Sequence, residues 1–106
     1  MVFFRTESGN EPVREWLRGL RKTDKRVIGS DIKTVQYGWP IGVPVVRKLD
    51  TGLWEVRSRL DQRIRRILST VHGDTMVLLH GFIKKSQKTP KEDLQLAKDR
   101  KANLEK

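Results

Sequence analysis

Cysteine is absent from the 106 residues, so disulfide frameworks, thiolate zinc sites and cysteine nucleophiles are all excluded. No apolar run approaches the roughly 20 residues that a membrane helix needs, and the N-terminus has no signal-peptide core. The expected location is therefore the cytoplasm. Glycine-rich phosphate loops and nucleophile elbows are missing as well. The two histidines, His72 and His80, have no carboxylate or second histidine at metal-ligand spacing. Neither a metal nor another cofactor is expected. Acidic residues are scarce: 13 against 23 lysines and arginines, a net charge of +10.

For so short a chain that is a strong positive field, suited to nucleic acid, an anionic membrane or an acidic protein. The distribution narrows the choice. Carboxylates gather in the helical segments at the two ends. The central stretch from Leu53 to Pro90 has only Glu55, Asp61 and Asp74 to set against its basic residues. Arg57, Arg59, Arg63, Arg65 and Arg66 lie on its first two strand-like runs, and Lys84, Lys85 and Lys88 follow the third. Like charges on adjacent strands repel, so a sheet built for stability alone would not carry them. The pattern points to an anionic polymer, RNA above all.

The length fits one domain, residues 1–106, with a single core. Val2, Phe3 and Phe4 read as a first strand, ended by the Ser8-Gly9-Asn10 turn cluster. Asn10 is placed to cap a helix with Pro12 in its first turn, and Val13, Trp16, Leu17 and Leu20 recur at helical spacing. That helix should end near Lys22–Asp24. A second, capped by Thr23 or Asp24, carries Val27, Ile28, Ile32 and Val35 on one face and stops at Gly38. Trp16, on an apolar stripe, is expected in the core. Two prolines and a glycine make 39–44 a connector, and Val45, Val46 and Leu49 suit an edge segment before the Asp50-Thr51-Gly52 turn.

Three strands then follow with short loops, the pattern of an antiparallel meander. Period-two alternation puts Trp54, Val56 and Ser58 on one face of the first, with Glu55, Arg57 and Arg59 on the other. In the second, Ile67 and Val71 oppose Arg66, Leu68 and Thr70. The third, from Thr75 to Ile83, is nearly all apolar and reads as the central, most buried strand. The helical pair should cover one face, leaving the other to the arginines. Thr89-Pro90-Lys91-Glu92 reads as a capping box opening a last helix, whose thin stripe is Leu94, Ala97, Lys101 and Leu104.

Among candidates for chemistry, Glu55 and Asp61 are flanked by arginines and read as salt-bridge partners. His80 reads as a hydrogen-bonded strand residue and His72 as a turn residue. What remains is cations. Arginine forks can meet the charge that develops when a 2′-hydroxyl attacks the adjacent phosphorus. A lysine crowded by other cations can exchange protons near neutral pH. A basic sheet face suits simple phosphate binding equally well, and composition alone favours binding over catalysis.

The strings GLWEVR at Gly52–Arg57, RIRRIL at Arg63–Leu68 and LLHGFIKKSQKTP at Leu78–Pro90 resemble the HigB-type, phage-derived host-inhibition toxins of the RelE/ParE superfamily. The element order agrees over nearly the whole chain. The resemblance implies an α+β, RelE-like fold: N-terminal strand, two-helix hairpin, antiparallel three-stranded meander and C-terminal helix. It implies the toxin of a toxin–antitoxin pair, a metal-independent, ribosome-dependent endoribonuclease that cleaves mRNA and inhibits translation. Implied catalytic positions are Arg57, Arg66, Lys84, Lys85 and Lys88. Arg66 would stabilise the phosphate and one lysine of the Lys84/Lys85 pair would move the proton. Arg59, Arg63, Arg65, Gln87 and Lys91 would contact RNA. Implied partners are mRNA, the ribosome and its RNA, and a helix-turn-helix antitoxin; DNA would be met only through the antitoxin complex.

The chain departs from many such toxins in one respect. They carry a tyrosine or phenylalanine after the second-strand arginine, or a tyrosine near the last helix. Here those positions are Leu68 and Ser69, and the single tyrosine is Tyr37. Base stacking would then fall to Trp39 or Phe82. Two other readings stand beside the nuclease: a ParE-like inhibitor of DNA gyrase, and a non-catalytic nucleic-acid-binding module.

Overall fold

A computed structural model describes residues 2–38, 46–60, 63–73, 75–84 and 89–104, with side chains for all of these except 36–38, 46, 47, 59, 60, 63 and 84. The elements are β1 (Val2–Phe3), α1 (Pro12–Arg18), α2 (Lys22–Gly38), β2 (Val46–Asp50), β3 (Leu53–Leu60), β4 (Arg63–His72), β5 (Thr75–Lys84) and α3 (Lys91–Leu104). The class is α+β. The connector at 39–44 lies outside the described residues.

The strands form one five-stranded sheet in the order β1-β5-β4-β3-β2. β2, β3, β4 and β5 pair antiparallel in succession, and β1 joins parallel to β5. The meander expected at three strands is thus extended at both ends. β4, not β5, occupies the middle of the sheet. The apolar run of β5 reflects a different demand: both of its faces are covered by helices. The Asp50 carboxylate accepts the Thr51 amide at 2.7 Å, and Gly52, at φ +68°, completes the expected turn into β3.

Alternation along the strands sorts side chains to two faces, and each face has its own core. On one, Val56, Ile67 and Leu78 meet Val13 of α1 and Ile28, Ile32 and Val35 of α2, with Trp16, Leu17 and Leu20 packed against them. Val27, expected on this face, is exposed. On the other face, Leu53, Leu68, Val77, Leu79 and Phe82 meet Phe4 and the fully buried Ala97 of α3, with Leu94 and Leu104 alongside. This second core corrects the expectation of a face left to arginines. A stripe of three apolar residues on α3 suffices because the sheet supplies the rest of the surface.

Trp16 is seated by Gly81. A Cβ added there would run into the Trp16 ring, so only glycine lets the indole pack this closely on β5.

Two helix starts differ from expectation. The N-cap position of α1 is Glu11, with no side-chain cap. Asn10 instead closes its own loop: its carbonyl accepts the Thr6 amide at 2.8 Å and its side chain donates to Ser8 at 3.3 Å. The second helix begins at Lys22, ahead of Thr23 and Asp24.

Candidate functional site

Arg57 on β3 and Arg66 on β4 are direct cross-strand partners. Two guanidinium groups side by side repel unless an anion separates them. Glu55, two residues before Arg57 and on the same face, supplies it. Its Oε2 accepts Arg66 Nη1 at 2.7 Å and the Thr89 hydroxyl at 2.9 Å. Arg66 Nη1 also donates to Thr89 Oγ1 at 3.4 Å. The other carboxylate oxygen, Oε1, stands 4.0 Å from Arg57 Nε and has no hydrogen bond among the described residues.

Exposure divides this cluster. The side chains of Glu55 and Arg66 are completely enclosed, whereas 35% of the Arg57 side chain is accessible. Removing two charges from water costs several kcal/mol each, which good hydrogen-bond geometry must offset. Thr89 helps by donating to the acid and accepting from the base. Arg66, expected at the phosphate, is therefore a buried anchor in this structure. Arg57 is the guanidinium of the pair that a solvent-borne anion can touch.

Thr89 was expected to cap α3. The helix begins one residue later than that reading requires: the Pro90 carbonyl accepts the Leu94 amide at 3.0 Å. The hydroxyl is thereby released to join Glu55. A residue typical of helix caps ties the segment after β5 to the arginine cluster.

Arg65 corrects a second expectation. Alternation turns it to the opposite face, where its side chain is buried, pairs with Asp24 at 3.4 Å and lies 5.8 Å from the Trp16 ring centre. It joins β4 to α2 and is not on the Arg57 face. Lys91, the first residue of α3, is exposed. Arg59 and Arg63 fall at the end of the β3–β4 pair where β3 leads into β4, in register with Ile64 and Leu60. Lys84, at the end of β5, is in register with Ile64 on β4. The side chains of these three, and all of Lys85, Gln87, Lys88 and Asp61, lie outside the described residues. So does Trp39.

Sequence reasoning missed one pairing. His80 Nε2 lies 2.6 Å from Asp93 Oδ1, joining β5 to the first turn of α3, and the imidazole stacks on Phe82 at 5.7 Å. The hydrogen-bonded role expected for His80 holds, but no spacing rule marks a partner across a strand-to-helix turn. Phe82 belongs to the second core and is 8% exposed, which leaves little ring surface for a base.

A bulge on β5 opposite Leu68 and Ser69 leaves Leu79 outside the regular register. Its carbonyl accepts Arg100 Nη1 at 2.7 Å, and that guanidinium lies over the Phe4 ring. Burial pushes the Arg100 guanidinium down from its usual range. Among the described residues no three metal-ligating side chains converge, and no helix is long and apolar enough to cross a membrane.

On chemistry alone the cluster is an anion-binding face with one accessible fork, held in place by an enclosed ion pair. No curated protein matches the chain. The sequence model of the phage-derived protein Gp49-like family (DUF891) matches residues 15–102, from α1 through most of α3. The chain belongs to this Gp49-like family, a toxin-like branch of the RelE/HigB superfamily.

Proposed function

We propose that the protein is the toxin of a toxin–antitoxin pair and acts as a ribosome-dependent endoribonuclease on mRNA. Family membership supports the toxin reading, and the +10 charge suits a ribosomal target. The observation that carries the nucleolytic reading is Arg57: an accessible guanidinium beside an arginine already neutralised by Glu55.

In the proposed reaction the mRNA 2′-oxygen bonds to the adjacent phosphorus and the bond from phosphorus to the 5′-oxygen breaks. The products are a 2′,3′-cyclic phosphate and a free 5′-hydroxyl. A proton leaves the attacking hydroxyl and another reaches the departing oxygen; Lys84, Lys85 and Lys88 are the candidates for these transfers. Arg57 binds the phosphoryl oxygens as they gain charge. Glu55 and Arg66 position Arg57. No metal takes part.

Full burial of Arg66 favours a rival reading, in which the same face binds a nucleic acid or DNA gyrase without cutting RNA. Inducing the chain in cells and mapping mRNA 5′ ends separates them. Codon-linked cuts in wild type that vanish in Arg57→Ala and Lys85→Ala establish the nuclease. Replication arrest with intact mRNA establishes gyrase inhibition, and unimpaired growth refutes a toxin of either kind.

A further inference from the structure

Two polar contacts hold the start of α3 over the arginine cluster. Thr89 bonds to Glu55 and Arg66, and Asp93 Oδ1 lies 2.6 Å from His80 Nε2, placed to accept its N–H. His80 is in register with Leu68, and Leu68 with Glu55, so the imidazole shares the face that carries Glu55, Arg57 and Arg66. The chain from Thr89 to Asp93 thus crosses that face with one contact at each end.

No buried side chain anchors it in between. Pro90, Lys91 and Glu92 are exposed, Leu94 is half-buried, and the first buried residue of α3 is Ala97. The two contacts also differ in their access to water. Glu55 and Arg66 are wholly enclosed, whereas 16% of the His80 side chain and 26% of that of Asp93 are accessible. Water can replace a partner in such a bond, and a segment with few buried apolar groups opens locally without unfolding the domain. The cover over Arg66 is therefore fastened at its far end by a bond that solvent reaches.

We propose that the His80–Asp93 bond is a latch: closed, it seats Thr89 on the Glu55–Arg66 pair and shuts Arg66 away; released, it lets residues 89–93 lift and opens Arg66 to a phosphate held by Arg57. Arg57 and Arg66 are direct cross-strand partners, so an anion on one stands beside the other. Two guanidinium groups offer a phosphate more donors in fork geometry than one. The latch thus sets whether the face presents one arginine or two. The inference rests on the reading of the Arg57 face as an anion site and does not depend on RNA cleavage.

The test labels the purified full chain with phenylglyoxal, which reacts with accessible guanidinium groups, and locates the label by mass spectrometry. In wild type Arg57 should be labelled and Arg66 protected. Asp93→Ala should speed the labelling of Arg66 roughly tenfold, and His80→Ala should do the same. Asp93→Asn, whose amide oxygen accepts the same bond, should keep Arg66 protected. Arg65, enclosed on the opposite face, reports on the fold and should stay unlabelled throughout. Labelling of Arg65 together with Arg66 in the alanine variants would show general loosening and overturn the latch. So would continued protection of Arg66 in both. A short oligodeoxyuridylate, which lacks the 2′-hydroxyl and stays uncut, serves as the anion. It should slow labelling of Arg57 in wild type and of both arginines in Asp93→Ala. Protection of Arg57 alone in that variant would overturn the opening of Arg66 to a phosphate. Failure to protect Arg57 in wild type would refute the anion site itself, a result distinct from failure of the latch.

Discussion

Arg66 Nη1 lies 2.7 Å from Glu55 Oε2, with both side chains wholly enclosed between the sheet and the segment leading into α3. This pair sets where the neighbouring Arg57 stands and makes the cluster sensitive to the loss of either partner.

Glu55→Ala strands a buried guanidinium, and removing one member of a buried pair costs about 3–5 kcal/mol. Urea unfolding should show a loss of that size. Replacing both residues, Glu55→Leu with Arg66→Met, should recover most of it, because no uncompensated charge remains. A double variant as unstable as the sum of its singles would contradict the assignment of the pair as one energetic unit.

Arg57→Ala should separate stability from function. A partly exposed ion pair contributes about 0–1 kcal/mol, so the unfolding midpoint should scarcely move. Growth arrest on induction should nevertheless be lost. Arg65→Ala should do the reverse, lowering stability through the broken Asp24 pair and the bared Trp16 ring. Its effect on growth should track the amount of folded protein in the cell, measured by quantitative blotting.

Gly81→Ala forces a methyl group into the Trp16 ring, an overpacking that costs about 1–3 kcal/mol. Combining it with Trp16→Leu should relieve the clash, giving a favourable coupling energy in a double-mutant cycle. Additive losses would place the cost elsewhere.

Acidification should act on the Asp50 carboxylate. The Lys98 ammonium at 2.9 Å and the Thr51 amide hold it below its ordinary value of 3.8. A carboxyl group depressed in the folded state stabilises fully above its unfolded value. That contribution shrinks as pH falls through 3.8 and is gone below the folded value. Asp50→Asn should therefore be less stable than wild type at pH 7, with the gap closing only below about pH 4. A gap that stays constant as the pH falls below 3.8 would refute the ion pair as its source.

Much of the fold follows from local rules that the sequence carries by itself. Helical spacing placed Ile28, Ile32 and Val35 in one core and put Leu94, Ala97 and Leu104 on a common stripe of α3, although the second core that this stripe covers was not foreseen. Period-two alternation put Glu55, Arg57 and Arg66 on a common face, because successive strand side chains point to opposite sides whatever the sheet's surroundings. Glu55 was legible as a salt-bridge partner because arginines flank it. Tertiary structure alone decided which members of that face meet water. Alternation assigns a side but says nothing about what arrives to cover it. Only with α3 and Thr89 in place is Arg66 enclosed and Arg57 left accessible. The sequence likewise could not show that Thr89 serves Glu55 rather than a helix end, that Asp24 neutralises Arg65, or that Asp93 reaches His80. Each of these joins residues at least 13 positions apart, a distance over which only packing, not periodicity, chooses partners.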